Sequence, residues 1–301
     1  MNLQFLADGL LIGSMIGLGA IGVTLTYSIL RFANFAHGEF IAWGAYATLA
    51  VTGAIGFLAG RDLPLGPFSF GWRVLLAGVI AMALTGLLAV ALDALLFKRL
   101  RRHGTAITLV IASFGAAMAL RSLLEFAFSS QPTYFSRAIQ FAIPLGFGIR
   151  ATPDQMAMLA LTAVLVTLMH LVMTRTGIGR AMRAVSENPP LAEIVGIDVG
   201  RVVRVTWLIG GGLACAAGIM AGITVQVRPH MGFDLLLPLF SAAILGGIGS
   251  VPGAVLGGLI VGVAQAGAVQ FIGAEFRAAI AFLILIAVLL VRPTGLFGTR
   301  D

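Results

Sequence analysis

The chain is 301 residues long, 59% hydrophobic and 10% charged, with a net charge of +7. Soluble domains carry about 25% charged residues. No soluble fold of this size hides so much apolar surface, so the composition excludes one and points to an all-α, polytopic protein of the lipid bilayer. The arginines flank apolar runs, which is the pattern of topology signals and not of nucleic-acid binding. Cys215 is the one cysteine and sits inside an apolar run. It reads as a packing residue, with no disulfide, metal or redox chemistry implied. No Lys or Arg occurs among the first 30 residues. A cleaved leader needs a positive start, so the first span is expected to be retained.

The first span is expected over residues 6–30. Gly9, Gly13 and Gly17 repeat there on one face, a seam for close helix contact. A polar hinge follows, carrying Arg31, Asn34, His37, Gly38 and Glu39. It reads either as a gate or pathway lining at the cytoplasmic mouth, or as a turn capping span two, with Glu39 favoured near a helix start. Span two covers residues 40–58, and a loop rich in Gly and Pro follows over 60–72. Span three covers 73–97 and ends in Lys98, Arg99, Arg101 and Arg102, the densest positive cluster. In span four, over 105–128, Arg121 and Glu125 stand one turn apart and are expected to neutralise each other. Residues 129–152 read as irregular and external, and span five covers 153–173.

The polar loop at about 174–204 is the longest soluble-looking stretch. Arg175, Arg180 and Arg183 make its first part basic. Asn188 reads as an N-cap with Pro189 at the first helical position. Leu191, Ile194 and Val195 fall on one face. Gly196 stands where a left-handed C-terminal residue is wanted, and Ile197 is expected to fold back onto Ala192 or Leu191. An apolar face on a polar loop needs a covering, most simply another protein.

Span six is expected over 205–227, with a second small-residue seam at Gly218 and Gly222. Residues 234–245 are apolar but short and contain Pro238, and residues 246–253 break any helix. Here Gly247, Gly249 and Ser250 belong either to a broken helix near the substrate or to a structural turn. Helices are expected over 254–271 and 276–291, ending near Arg292 and Pro293. The chain therefore reads as a single transmembrane domain over 1–301, with eight or nine crossings. With the N-terminus outside, twelve of the nineteen Lys and Arg residues fall inside, among them Arg31 and Arg300. Arg61, Arg137 and the other five fall outside.

Catalytic patterns are missing. The one lysine, Lys98, stands between Phe97 and Arg99, so no phosphate-binding loop exists. His37, His103, His170 and His230 lie in separate segments, without metal-ligand spacing. If energy drives this protein, it arrives from a partner or an ion gradient.

Three stretches in this order resemble the permease subunits of branched-chain amino acid ABC transporters, in particular the shorter of the two. The first runs over 34–46, from Asn34, His37, Gly38 and Glu39 to Gly44 and Tyr46. The second is Gly179, Arg180 and Arg183, continuing through Glu187, Leu191, Ile194 and Val195 to Gly196 and Asp198. The third contains Gly246, Gly247, Gly249, Ser250, Pro252, Gly253, Gly257 and Gly258. The resemblance implies a multi-pass bacterial inner-membrane subunit with no cofactor. It implies four partners: a second related permease, two cytoplasmic ATPase subunits and a periplasmic substrate-binding protein. The segment 179–198 would be the coupling loop that docks on an ATPase. Related permeases carry urea or short amides. An ion-coupled secondary transporter places acidic groups at mid-membrane. Here Asp8, Glu39, Asp93, Glu125, Asp234 and Glu275 stand near span ends, which argues against it. A passive channel leaves the loop unexplained.

Overall fold

The computed structural model describes residues 3–59, 65–102, 104–136, 138, 140–146, 148–292 and 294–298. Arg61, His103, Arg137, Pro293 and Arg300 lie outside the described residues. The chain forms a bundle of long helices. It begins with α1 (Gln4–Leu30), α2 (His37–Ala59) and α3 (Trp72–Leu92), which passes through a π-turn (Asp93–Phe97) into the short α4 (Lys98–Leu100). Then come α5 (Ala106–Phe128) and an antiparallel hairpin of β1 (Ile143–Gly146) and β2 (Ile149–Ala151). The chain continues with α6 (Pro153–Arg175), α7 (Gly177–Glu187), α8 (Pro189–Ile194) and α9 (Val199–Thr224). It closes with α10 (Met231–Gly246), α11 (Val251–Phe271) and α12 (Arg277–Val291).

Polar caps set several of these boundaries. The Thr152 hydroxyl accepts from the Gln155 amide while the Gln155 side chain accepts from the Thr152 amide, with Pro153 in the first turn. Asp198 accepts from the Arg201 amide at 2.8 Å. That cap starts α9 at Val199, so Arg201 and Arg204 belong to a helix and not to the loop expected to reach residue 204. Similarly, α2 starts at His37, inside the expected hinge. The segment read as irregular holds the hairpin, turned at Gly146 and Gly148, whose φ angles are 97° and 78°.

Helices α1 and α9 form the centre: 83% of the apolar window of α1 and 78% of that of α9 are buried, against 28% for α5. Lipid tails are as apolar as the side chains, so such contacts rest on close packing. The glycine seam of α1 faces α11. A methyl group on Gly13 would lie 2.7 Å from the Leu259 Cα, and one on Gly258 would lie 2.5 Å from the Gly17 Cα. On α9, Gly218 packs on the Ile41 carbonyl and Gly222 on Phe135 and Val227.

Contacts also settle the number of crossings. Gln4 exchanges hydrogen bonds with Arg150 of β2, Thr133 bridges Val227, and Phe5 packs on Phe271. Those residues mark one end of the bundle, the hairpin end. At the other end Gly249 donates to Thr24, and Arg31 donates to the Ser186 carbonyl of α7. After α9 the chain is at the hairpin end at Val227, yet α11 begins at the α7 end. Helix α10 must therefore cross. Eight helices are long and apolar enough to span, and α10 is a shorter apolar one, which gives nine among the described residues.

Candidate functional site

Helix α2 starts deep in the bundle. After Leu30 the chain turns at Arg31, a left-handed residue with φ 58°, and climbs back along α1. His37 Nε2 donates to the Gly19 carbonyl at 3.2 Å. Gly19 lies eleven residues before Leu30, roughly 16 Å along the helix axis. The Asn34 side chain accepts from the Ala36 amide at 3.1 Å and so shapes the start of α2. Asn34, His37 and Glu39 are 3%, 0% and 1% exposed. They lie within the bundle, away from the α7 end where a cytoplasmic mouth was expected.

At this depth Glu39 meets Arg121 of α5, with Arg121 Nη2 donating to Glu39 Oε1 at 2.5 Å. Arg121 stands fifteen residues into α5, roughly 22 Å from its start. Its guanidinium lies 4.6 Å from the centre of the Phe233 ring on α10, a cation–π contact. Glu39 Oε2 and Arg121 Nε are buried with no hydrogen-bond partner among the described residues. The expected pairing of Arg121 with Glu125 is corrected here: Glu125 reaches His230 instead, at 3.2 Å. A fully buried Glu39 needs a cation more than a partly exposed Glu125 does.

A cavity of about 190 Å³ opens beside the pair. Phe35, Phe114, Met118, Phe233 and Leu236 line it, and Arg121 is its one charged side chain. Trp43 Nε1 donates to the Leu120 carbonyl at 3.1 Å, and Ser113 accepts from the Phe35 amide at 3.0 Å. These bonds pin α5 to the hinge and to α2 and fix the cavity walls.

The second region is the polar cap made by α7 and α8. Thr176 caps α7 by accepting from the Gly179 amide at 3.2 Å, and Gly179 fits against the Val172 and Met173 carbonyls, where a side chain would not. Arg183 donates to the Met173 carbonyl. Met182 and Val185 turn inward, while Arg180 and Glu187 are exposed. Asn188 caps α8 through the Leu191 amide at 3.0 Å. Gly196 closes it at φ 88°, and the Ile197 amide donates to the Ala192 carbonyl at 2.9 Å. Leu191, Ile194 and Val195 are 55%, 81% and 68% exposed.

Gly247, Gly249 and Ser250 form the tight turn between α10 and α11. Gly247 and Gly249 adopt φ 97° and 92°, and the Ser250 hydroxyl accepts from the Gly253 amide at 3.1 Å. The Leu296 and Phe297 amides close the turn from the C-terminal side, on the Leu245 and Gly246 carbonyls. None of the three lines the cavity.

A family profile described as "Branched-chain amino acid transport system / permease component" covers residues 5–289. The chain belongs to this family. It is 31% identical to the high-affinity branched-chain amino acid transport system permease protein LivH of Escherichia coli K12, over 99% of this chain and 96% of that protein. It is likewise 31% identical to the corresponding permease BraD of Pseudomonas aeruginosa, over the same shares. A protein named as a probable branched-chain amino acid transport permease in Methanocaldococcus jannaschii is 27% identical, over 98% of this chain and 92% of that one.

Sequence reading of this permease missed the pairing of Glu39 with Arg121, which are 82 residues apart and on different helices. No periodicity carries such a pair. One signal was available: an arginine inside an apolar helix calls for a partner, and Glu39 closes the polar hinge that leads into span two.

Proposed function

We propose that this permease is the membrane subunit of an ATP-driven importer of branched-chain amino acids in a bacterial inner membrane. A second related permease completes the pathway, two cytoplasmic ATPases drive it, and a periplasmic binding protein delivers the substrate. The observation that carries this reading is the uncovered face of α8. Leu191, Ile194 and Val195 are exposed on a short capped helix and its C-cap, outside the long apolar helices. Removing such surface from water yields about 25 cal/mol per Å², and a groove on an ATPase would supply the cover. The chain has no nucleotide-binding loop of its own.

Two rival readings lose ground on the same observations. Ion coupling uses an acidic group free to exchange its ion, whereas Glu39 is held by Arg121. Urea and short amides have no hydrocarbon to fill a cavity walled by Phe35, Phe114 and Phe233. The α7–α8 end is assigned to the cytoplasm on its positive charge: Arg31, Arg99, Arg175 and Arg183 cluster there.

Leucine uptake by membrane vesicles tests the reading. It should require ATP and the co-purifying ATPases. Uptake driven by a proton or sodium gradient without ATP would overturn it. For orientation, Glu187→Cys in a Cys215→Ala background should react with a membrane-impermeant thiol reagent only after the cells are opened.

A further inference from the structure

We propose that the cavity beside Arg121 is a binding site for aliphatic carboxylates, in which Arg121 takes the carboxylate of an amino acid and the aromatic walls take its hydrocarbon side chain. The proposal deepens the transport reading and rests on it for the solute class. An arginine inside a spanning helix is costly to place and calls for a use. A guanidinium offers five N–H donors in a planar fork that fits carboxylates. Glu39 takes one of them, from Nη2; Nε is buried, and Nη1 donates to nothing among the described residues. Capacity for a second carboxylate therefore remains on the one charged group lining the cavity.

The walls select the rest of the ligand. Phe35, Phe114, Met118, Phe233 and Leu236 present rings and aliphatic carbon. Nearby, Ser113 turns its hydroxyl to the Val110 carbonyl and the Phe35 amide. The volume of about 190 Å³ is below the roughly 300–1,000 Å³ of pockets built for drug-sized ligands, in keeping with a small solute. Glu39 also makes release easy. When the ligand leaves, Arg121 keeps its ion pair, so no bare buried charge is left behind. A transient grip of this kind suits a pathway. Phe114, Met118 and Phe233 are 47%, 57% and 48% exposed, so the cavity opens on the flank between α5 and α10, where a second permease would close it.

The test uses the assembled importer in proteoliposomes, with Met118→Cys placed at the cavity rim in a Cys215→Ala background. The rate of thiol modification by a small neutral reagent is read with leucine, 4-methylpentanoate, leucinamide or urea present. Leucine and 4-methylpentanoate should slow the reaction by about tenfold at saturation, and leucinamide and urea should not. Arg121→Gln should remove the protection and Arg121→Lys should retain part of it. Should Arg121→Gln not assemble, the comparison of leucine with leucinamide decides with Arg121 in place. Equal protection by leucinamide, or none by leucine where the unmodified importer takes up leucine, overturns the proposal. An importer that takes up no leucine sinks the transport reading instead, and protection by 4-methylpentanoate still decides the cavity.

Discussion

Glu39 and Arg121 place two charges where apolar side chains surround them, whereas Leu191, Ile194 and Val195 leave three apolar side chains exposed and uncovered among the described residues. Both arrangements oppose the local solvent, and they are compensated differently. The charges neutralise each other within the chain, so that region persists in the permease alone. The apolar face of α8 has no cover among the described residues. Internal compensation marks a feature that must survive between encounters, and its absence marks a surface that waits for a partner. Arg31 joins the regions physically: it donates to the Ser186 carbonyl of α7 and begins the hinge that leads to Glu39.

The largest expected effect comes from breaking the internal compensation. Glu39→Leu leaves the partly buried Arg121, 16% exposed, without its carboxylate, which costs up to about 3–5 kcal/mol. Thermal unfolding of the detergent-purified permease should show the loss, and membrane abundance should fall. The double variant Glu39→Leu with Arg121→Met should recover most of the stability, because the charge leaves with its partner. A double variant as unstable as the single one would show that the pair is not self-compensating.

Next is the uncompensated face. Ile194→Asp forces a charge into a contact that must be dry, and burial of an isoleucine contributes about 1.5–3 kcal/mol. Recovery of the ATPase with the tagged permease should fall at least about tenfold, with unfolding of the isolated permease unchanged. A drop in the permease's own stability would mean that the chain itself covers α8.

A third variant separates general packing from either effect. Gly258→Ala puts a methyl 2.5 Å from the Gly17 Cα in the α1–α11 seam, and overpacking of this kind costs about 1–3 kcal/mol. Stability should fall while the ATPase stays bound, so the assay can distinguish a weakened bundle from a lost partner.

How much was legible in advance follows the same division. The cap of α8 was readable because each device is local: Asn188 before Pro189, apolar spacing of three and four, then Gly196. The glycine seam of α1 was readable for the same reason. The Glu39–Arg121 pair was not, because it joins two helices through a hinge whose return into the bundle depends on the left-handed Arg31. Nor was the start of α9, since Arg201 and Arg204 look like loop residues until the Asp198 cap places them in a helix. Nine crossings rather than eight became clear only from the contacts at either end of α10.

The smallest expected effect is that of Arg180→Ala. Arg180 lies exposed on α7, while the buried Met182 and Val185 seat this helix. Exposed charges typically contribute under about 1 kcal/mol, screened by salt. Binding of the ATPase should therefore weaken by no more than about fivefold, and raising the salt to high ionic strength should erase the difference from the unmodified permease. The loss in Ile194→Asp should persist at high salt, because the cost of burying a charge against an apolar wall is not screened away. If Arg180→Ala instead releases the ATPase as fully as Ile194→Asp does, the partner grips this cap by charge. The exposed apolar face would then lose its meaning, and with it the contrast between a region that compensates itself and one that awaits a partner.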